Sequence, residues 1–500
     1  MKKLISICVL LAMSIMCFSG CFLFNDSEEV KQTENVENIE KPEHYHSFGE
    51  WVTVLEPTEE AEGLKERYCE CGEKESSTIP KVEVPENYSQ GLAFTLNADG
   101  MSYSVVGIGT CTDTEIIIPS VHEGLPVTSV FAMAFSGINE KNALIESVII
   151  PESVTSIGGM AFAYAENLKS VVMTDSVVEL GTGAFMYSSA LETVVISNSI
   201  TIIEDSTFSY CQALKNVNIP SSVTTIGGYA FYKCESIVEL TLPNSLTSVG
   251  DLAFNYCTSL ERIEMSDSLT SIGDQVFCYC TSLTSVTLPD SLTNIGSALF
   301  YQCTSLESVR LPSGMTKIDS HEIEIFDMYG NPKMQYMGMF AYCTSLKSII
   351  IPDSVTIIEP YSFYECNSLE SVTIGSSVET IGDWAFYNCT SLETVIMPDS
   401  VTTIGENVFN RCSGLKSVVL SNSLECIPYA TFFRCASLET VSMGNGIKSI
   451  DRSVFEYCSS LATINYAGTI SEWQAIEISS TWAEYTGDYT ISCDDGTISK

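Results

Sequence analysis

The sequence predicts a repeat solenoid that is rich in β-structure and has short helical turns. Three observations predict it: a phenylalanine that returns every 23 residues, a Cys-Thr-Ser-Leu motif that returns with it, and a proline between two short apolar stretches of the repeat. One such repeat has too few apolar residues to form a core alone, so it must stack on its neighbours. The 500 residues therefore do not need to be divided into several globular domains.

The phenylalanine series counts the coils. The break between Phe300 and Phe340 is one repeat plus 17 residues, which indicates an insertion near 317–337. About 14 coils result, and we assign residues 132–465 to the solenoid. The series consists of Phe135, Phe162, Phe185, Phe208, Phe231, Phe254, Phe277, Phe300, Phe340, Phe363, Phe386, Phe409, Phe432 and Phe455.

Each coil has the same predicted elements. In the coil that begins at Cys280, the spacing of Leu283, Val286 and Leu288 predicts a short strand. The proline that follows ends the strand, because proline cannot donate a hydrogen bond to a continuing ladder. A second apolar pair and a glycine come next, and Ala298–Phe300 is predicted to form a brief helical turn.

This pattern resembles the BspA-like, treponemal-type leucine-rich repeat. Leucine, an aliphatic residue, proline, Ile-Gly, Ala-Phe and cysteine recur in one register over about residues 132–465. The commoner leucine-rich repeat places Asn or Cys after the strand, whereas here the cysteine precedes the first leucine. The resemblance implies a surface lipoprotein that presents its solenoid for protein–protein or adhesive interactions with host, microbial or matrix macromolecules.

The front of the chain predicts export and anchoring. Residues 1–20 combine two lysines, an apolar run and small residues, as a signal peptide does. Cys21 follows Ser-Gly as in a bacterial lipobox, which implies cleavage before Cys21 and attachment of lipid to it; a plain secretory signal cut elsewhere is the alternative. Residues 21–43 are predicted to be an acidic, disordered tether. The expected location is the bacterial cell surface, with the lipid as the membrane contact.

The two ends of the solenoid and its insertion depart from the repeat. Residues 91–131 predict a hairpin and a strand that form an N-terminal cap, and residues 466–500 a C-terminal cap over the last open edge. The insertion near 317–337 contains His321 and several acids. It is interpreted as a surface excursion of one coil, with a metal or ligand loop as the alternative.

Residues 44–80 are predicted to form a small β module. His44, His46, Cys69 and Cys71 are its candidate zinc ligands, because tetrahedral zinc sites use nitrogen and sulfur ligands in this mixture. The two cysteines are separated by one residue instead of the usual two. A Cys69–Cys71 disulfide and a metal-free hairpin with free thiols are the alternatives.

Eleven cysteines lie three residues after a repeat phenylalanine, and we call them the ladder cysteines. Earlier coils have Ile, Ala or Ser at this place, which indicates a small and buried site. Buried thiols are therefore predicted, with scattered disulfides and metal or redox chemistry as alternatives. The ladder cysteines are Cys211, Cys234, Cys257, Cys280, Cys303, Cys343, Cys366, Cys389, Cys412, Cys435 and Cys458.

Composition and motifs argue against two classes of function. The net charge of −40 makes nucleic acid a poor partner, because phosphate backbones are repelled. The sequence has no nucleophile elbow, no HExxH zinc motif and no phosphate-binding glycine loop, so an enzyme is not predicted.

Two rows of side chains are predicted to face solvent. One row near-alternates Glu and Lys from coil to coil, which predicts ion pairs between neighbouring coils. The other row, within the strand, is apolar towards both ends and polar in the middle. It is either ordinary sheet surface or an extended contact surface whose candidate binding residues are Ile149, Val172, Val195, Arg310, Ile350, Ile396 and Val419.

Binding is the predicted role, and protein or glycan macromolecules at the cell surface are the predicted partners. A structural spacer or surface-layer component that recognises nothing is the first alternative. A metal-binding surface module, with the solenoid as its scaffold, is the second.

Overall fold

The structure, a computed structural model, describes residues 52–55, 63–68, 74–79, 88–326 and 332–500. The chain divides into two compact units, Met1–Pro85 and Glu86–Lys500. The first unit contains an antiparallel sheet whose strands lie in chain order. These strands are Val52–Leu55, Gly63–Tyr68 and Lys74–Ile79.

The second unit is a solenoid in which each complete coil contributes two short strands and one turn side. The first strand of each coil carries the predicted aliphatic residue, and these strands pair in parallel to form the first strand row. Its members are Glu115–Ile117, Ser147–Ile149, Ser170–Val172, Thr193–Val195, Asn216–Val217, Glu239–Thr241, Arg262–Glu264, Ser285–Thr287, Ser308–Arg310, Ser348–Ile350, Ser371–Thr373, Thr394–Ile396, Ser417–Val419, Thr440–Gly444, Thr463–Ala467 and Thr490–Cys493.

The second strand row runs beside the turn side and is also parallel. Most of its strands have two residues, because the glycine or acid that follows leaves the ladder for the turn. Its members are Leu125–Val130, Ser156–Ile157, Glu179–Leu180, Ile202–Ile203, Thr225–Ile226, Ser248–Val249, Ser271–Ile272, Asn294–Ile295, Lys317–Ile318, Ile357–Ile358, Thr380–Ile381, Thr403–Ile404, Cys426–Ile427, Ser449–Ile450 and Glu477–Ile478. The predicted β-rich repeat solenoid is confirmed.

The core is built of columns, in each of which the same or a similar residue repeats from coil to coil. Every phenylalanine of the series is buried and stacks on the next, with ring centroids between 4.9 Å for Phe363–Phe386 and 5.9 Å for Phe254–Phe277. The column passes the insertion without a gap, since Phe300 and Phe340 are 5.6 Å apart. At the C-terminal end, Trp482 meets the last ring of the series edge to face.

The turn side is not helical, so the predicted helical turn at Ala298–Phe300 is wrong. The residues two before and two after each phenylalanine mostly have a positive φ, for example 56° at Ser206 and 61° at Tyr210. This left-handed backbone turns every second N–H along the stack: Ser206, Phe208 and Tyr210 all donate to carbonyls of the next coil, at 2.8, 2.8 and 2.7 Å. A helical turn would direct these N–H groups back into their own coil.

Helices are correspondingly rare in the described part of the chain. The 3-10 helix Asn142–Leu144 fills the longer first coil, and the α-helix Ile470–Gln474 follows the last one. The α-helix begins with a capping box between Thr469 and Glu472. No helix among the described residues is long and apolar enough to span a membrane.

The remaining strands lie at the ends of the solenoid and in the insertion. Ala93–Leu96 pairs antiparallel with Tyr103–Gly107, and Val121–His122 with the start of the second strand row. At the other end, Gly496–Ser499 folds back on the last strand of the first row. The insertion is an antiparallel hairpin of Ser320–Phe326 and Pro332–Gly338.

We expect Phe277→Ala to lower the free energy of unfolding by about 3–5 kcal/mol, because it leaves a cavity in a column that cannot collapse. Coils contact only their neighbours, so the loss of hydrogen-exchange protection should begin in the coils on either side. Thr287→Ala, at an exposed position of the next coil, is the matched control and should change little. Equal protection in both variants would contradict the assignment of the column as the core.

Candidate interaction surfaces

The N-terminal part of the first strand row exposes a continuous apolar patch. The parallel register places Ile149, Val172 and Val195 side by side on adjacent strands. Their side chains are 41%, 44% and 49% exposed, although each belongs to a strand whose middle residue is buried. We call these three residues the N-terminal patch.

A second apolar patch lies towards the C-terminal end of the same row. Ile350 and Ile396 are 70% and 68% exposed, which is more than at the N-terminal patch. Ile396 lies beside Val419, and Thr373 separates Ile396 from Ile350. We call Ile350, Ile396 and Val419 the C-terminal patch. The coils between the two patches present the exposed polar side chains Asn218, Thr241, Glu264, Thr287 and Arg310.

Arg310, a predicted binding residue, is held within the sheet surface. Its guanidinium contacts the Asp290 carboxylate at 2.5 Å and donates to the Leu288 carbonyl at 3.1 Å. Hydrogen bonds to Asp290, first from the Ser313 backbone and then from Arg310, lower the pKa of that carboxyl. Arg310 therefore belongs to the polar middle and not to either patch.

The predicted ion pairs between coils are present beside the strand face. Lys169 pairs with Glu146 at 2.8 Å, and Lys416 with Glu393 at 2.8 Å, each across one repeat. The side chains are more than 45% exposed, so each pair contributes at most about 1 kcal/mol. The pairs therefore contribute little to the stability of the fold.

The ladder cysteines are buried free thiols. Each thiol donates to the carbonyl of a phenylalanine in the preceding coil; the Cys211 Sγ, for example, lies 3.1 Å from the Phe185 oxygen. The same oxygen accepts the N–H of Ser188 at 3.0 Å, so one carbonyl joins two coils. In the preceding coil, the Ser188 hydroxyl donates to Phe162 at 2.8 Å in place of a thiol.

The ladder position, which the sequence predicts to be small and buried, therefore also holds a side chain that donates a hydrogen bond. Burial raises the pKa of the Cys257 and Cys458 thiols to about 12, so both stay protonated near neutral pH. A protonated and buried thiol is a poor nucleophile and a poor metal ligand. The ladder cysteines consequently act in the fold.

The candidate lipid and zinc residues lie outside the described residues, namely Cys21, His44, His46, Cys69 and Cys71. Both assignments stay predictions. Within the described ranges, no group of three or more His, Cys, Asp or Glu side chains could hold a metal ion.

His321, at the start of the inserted hairpin, packs back against the two preceding coils. The Nδ1 atom of its ring lies 3.1 Å from the Ser297 hydroxyl. That hydroxyl donates to Asp274 at 2.9 Å. The hairpin is thus tied to the turn side at its base.

The turn side carries a second candidate surface that the sequence analysis does not predict. Every coil from Phe162 to Phe386 has one tyrosine, either one or two residues after the phenylalanine. Neighbouring rings contact each other, some stacked, as Tyr256–Tyr279 at 4.2 Å, and some edge to face. We call this set the tyrosine stripe: Tyr164, Tyr187, Tyr210, Tyr232, Tyr256, Tyr279, Tyr301, Tyr342, Tyr364 and Tyr387.

A signal for the stripe does exist in the sequence. When the second position after the phenylalanine is not tyrosine, the first position is, as in Tyr232-Lys233 and Tyr364-Glu365. Alignment on one column misses this exchange, because the ring moves between two columns. Only the three-dimensional turn shows that both positions project from the same side.

Residues 134–261, 201–324 and 336–462 match the family model described as "BspA type Leucine rich repeat region", in six copies. A leucine-rich repeat protein from Bacteroides ovatus has a similar structure, with 24% identity and a TM-score of 0.58 over 80% of this chain and 99% of that one. A leucine rich cell surface protein from Faecalibacterium prausnitzii matches with 29% identity and a TM-score of 0.43, over 79% and 98% of the two chains. No curated protein matches the chain.

We expect the ladder cysteines to be unreactive in the folded chain and free once it is unfolded without reductant. A thiol reagent at pH 8 should label them slowly in the native protein and fully in urea, because burial shields them from the reagent. Blocked pairs in the unfolded, unreduced chain would replace the buried-thiol account with disulfides.

The same burial sets a dependence of stability on alkaline pH. The pKa of the Cys257 thiol rises from 9.0 to about 12 on folding, so above pH 9 the unfolded chain loses protons that the folded chain retains. This stabilisation is complete below about pH 9 and is lost as the pH rises towards 12. The free energy of unfolding in urea should fall over that range, and Cys257→Ser should reduce the slope.

Proposed function

Because the chain belongs to the BspA-type leucine-rich-repeat family, we propose that it is a lipid-anchored protein of the bacterial cell surface whose solenoid binds protein or glycan macromolecules. Its role in this proposal is binding and not catalysis. A solenoid suits that role, since its stacked strands give a long and rigid face to which a large partner can bind at several points.

The observation that carries the proposal is the exposure of the C-terminal patch. Ile350 and Ile396 are the most exposed apolar side chains of the outward row on the first strands, at 70% and 68%, and lie on a regular parallel sheet. Soluble surfaces rarely leave branched apolar side chains so open and so close together unless a partner covers them. The N-terminal patch repeats the arrangement.

The distance between the patches defines the size of the partner. Six strand spacings separate Val195 from Ile350, which is roughly 29 Å at about 4.8 Å each. A small molecule cannot reach both patches, whereas a folded protein or a long glycan can. The polar middle between them would lie under such a partner, and its charges favour one that is not polyanionic.

The anchoring part of the proposal rests on the lipobox-like Ser-Gly-Cys at the end of the signal sequence. A diacyl lipid on Cys21 would hold the chain at the membrane, and the acidic segment that follows would separate the solenoid from it.

We expect the triple variant Ile350→Thr, Ile396→Thr and Val419→Thr to weaken adhesion markedly with little change in thermal stability. Threonine keeps the β-branch that suits a strand but removes apolar contact area. Adhesion of beads that carry the protein would be measured on immobilised matrix proteins and glycans.

The matched control for this variant is Thr241→Ser with Thr287→Ser, which changes the polar middle of the same row. It should adhere as the unmodified protein does. If the triple variant also adheres unchanged, the C-terminal patch is ordinary sheet surface and this part of the proposal is wrong.

We expect Cys21→Ser to release the protein from the membrane fraction into the medium, because serine cannot accept the thioether-linked lipid. Fractionation of expressing cells and metabolic labelling with a fatty acid would measure the change. Cys111→Ser, which replaces a buried thiol within residues 91–131, is the control and should leave localisation unchanged. Labelled, membrane-bound protein in the Cys21→Ser variant would contradict lipidation at this residue.

A further inference from the structure

The tyrosine stripe already binds the basic side chains of its own chain. The Lys233 ammonium lies 5.0, 5.7 and 5.2 Å from the ring centroids of Tyr210, Tyr232 and Tyr256. Three rings of successive coils thus surround one cation, a geometry in which ring faces attract positive charge. Further along, Arg411 lies 5.7 Å from the ring centroid of Tyr387.

Between these two cations the stripe widens into a plate of aromatic rings. Tyr364 stacks on Tyr387 at 4.8 Å, and Tyr361 lies 5.4 Å from Tyr364 in the same coil. Trp384 lies 5.0 Å from Tyr387 and 6.2 Å from Tyr361. Tyr342 meets Tyr364 edge to face at 5.4 Å. We call these five rings, all partly exposed, the aromatic plate.

The plate has a glutamate at the repeat position where the rings of Tyr210, Tyr232 and Tyr256 have Lys233. Glu365 occupies in its coil the left-handed position that Lys233 occupies in its own. Asn388, at that position one coil later, donates to the Glu365 carboxylate at 2.7 Å. Asp383, exposed, precedes Trp384 directly. Among the described residues, no lysine or arginine lies over the rings of Tyr342, Tyr361, Tyr364 or Trp384.

The two carboxylates act on the rings electrostatically. Burial raises the pKa of Tyr342 and Tyr364 most, and the charge of Glu365 raises both further. Burial and then the charge of Asp383 raise the pKa of Tyr361. The ring hydroxyls therefore remain neutral, and the negative potential over the plate comes from these carboxylates and the net charge of −40.

We propose that the aromatic plate binds an extended basic segment of a partner protein, with lysine or arginine side chains over the rings and their charges near Glu365 and Asp383. In the first ring cluster, Lys233 of the same chain lies over the tyrosine rings. At the plate, a cation of the partner would take the corresponding place. A neutral glycan could also stack on aromatic rings, but it would leave the carboxylates without a counter-charge. This surface is on the turn side and is independent of the strand-face patches.

The test uses the purified full-length protein and an alternating lysine–glycine peptide as the probe, with the glutamate–glycine peptide as its counterpart. Binding would be measured by calorimetry and by tryptophan fluorescence. The lysine peptide should bind, should change the fluorescence, and should weaken steeply as salt increases. Trp384→Phe should keep binding but lose the fluorescence change, which locates the peptide at the plate.

Two variants should weaken binding at the plate for different reasons. Tyr364→Leu with Trp384→Leu removes ring faces, and Glu365→Lys gives the plate a cation of its own. Each should reduce affinity for the lysine peptide by about tenfold or more. Tyr187→Leu is the matched control, because Tyr187 lies in the stripe but outside the plate. The triple threonine variant of the C-terminal patch should bind the peptide normally, so failure of either proposal is distinguishable from failure of the other.

Three outcomes would overturn the proposal. The first is equal affinity of the unmodified protein and the Glu365→Lys variant, with both folded by circular dichroism. The second is equal binding of the glutamate peptide. The third is binding of a neutral probe such as chitohexaose at Trp384 while the lysine peptide does not bind, which would make the plate a glycan surface. If the double leucine variant does not fold, Glu365→Lys and Glu365→Gln still decide between these outcomes.

Discussion

The solenoid depends on the direction of the N–H groups on its turn side. A left-handed backbone before and after each phenylalanine directs every second N–H at the next coil, so the stack is hydrogen-bonded on the one side that has no strands. Such a backbone costs a residue with a side chain of order 1–3 kcal/mol. The bond to the next coil offsets part of that cost, because an unpaired buried N–H would be as unfavourable. Because the coils are held at a constant spacing, each side chain packs against the equivalent side chain 23 residues away.

The columns follow from this spacing. Phenylalanine rings stack because their backbones are hydrogen-bonded at the same height, and the cysteine thiols reach the phenylalanine carbonyls for the same reason. The inserted hairpin projects from the stack of coils without altering either column. The contact of Phe300 with Phe340 and the hydrogen bond from the Cys343 thiol to the Phe300 carbonyl show this. Local sequence freedom at the surface is thereby compatible with strict repetition inside.

The sequence alone predicts the parts of the fold that depend on which residues are apolar. The phenylalanine column, the proline that follows many of the first strands and the ion pairs such as Lys169–Glu146 all follow from spacing and charge. The left-handed turn positions could not be predicted, because they carry Tyr, Lys and Arg rather than the Gly or Asn that normally marks them. For the same reason, the sequence does not reveal the tyrosine stripe, whose rings come from two repeat positions, or the aromatic plate, whose rings come from three. Ser188 among the ladder positions was the one sign that a hydrogen bond, and not only volume, is selected there.

The uninterrupted columns have a consequence for how the gene can change. A tandem duplication or deletion of one 23-residue period, in frame and with both breakpoints in regular coils away from the inserted hairpin, joins two coils that already have matching columns. The product keeps both ends, every stack and every thiol bond, and differs only in reach. Unequal recombination between near-identical stretches such as the five Cys-Thr-Ser-Leu segments would generate such variants within a population. Related strains should therefore differ in coil number in whole periods, while the sequence at the two ends stays constant.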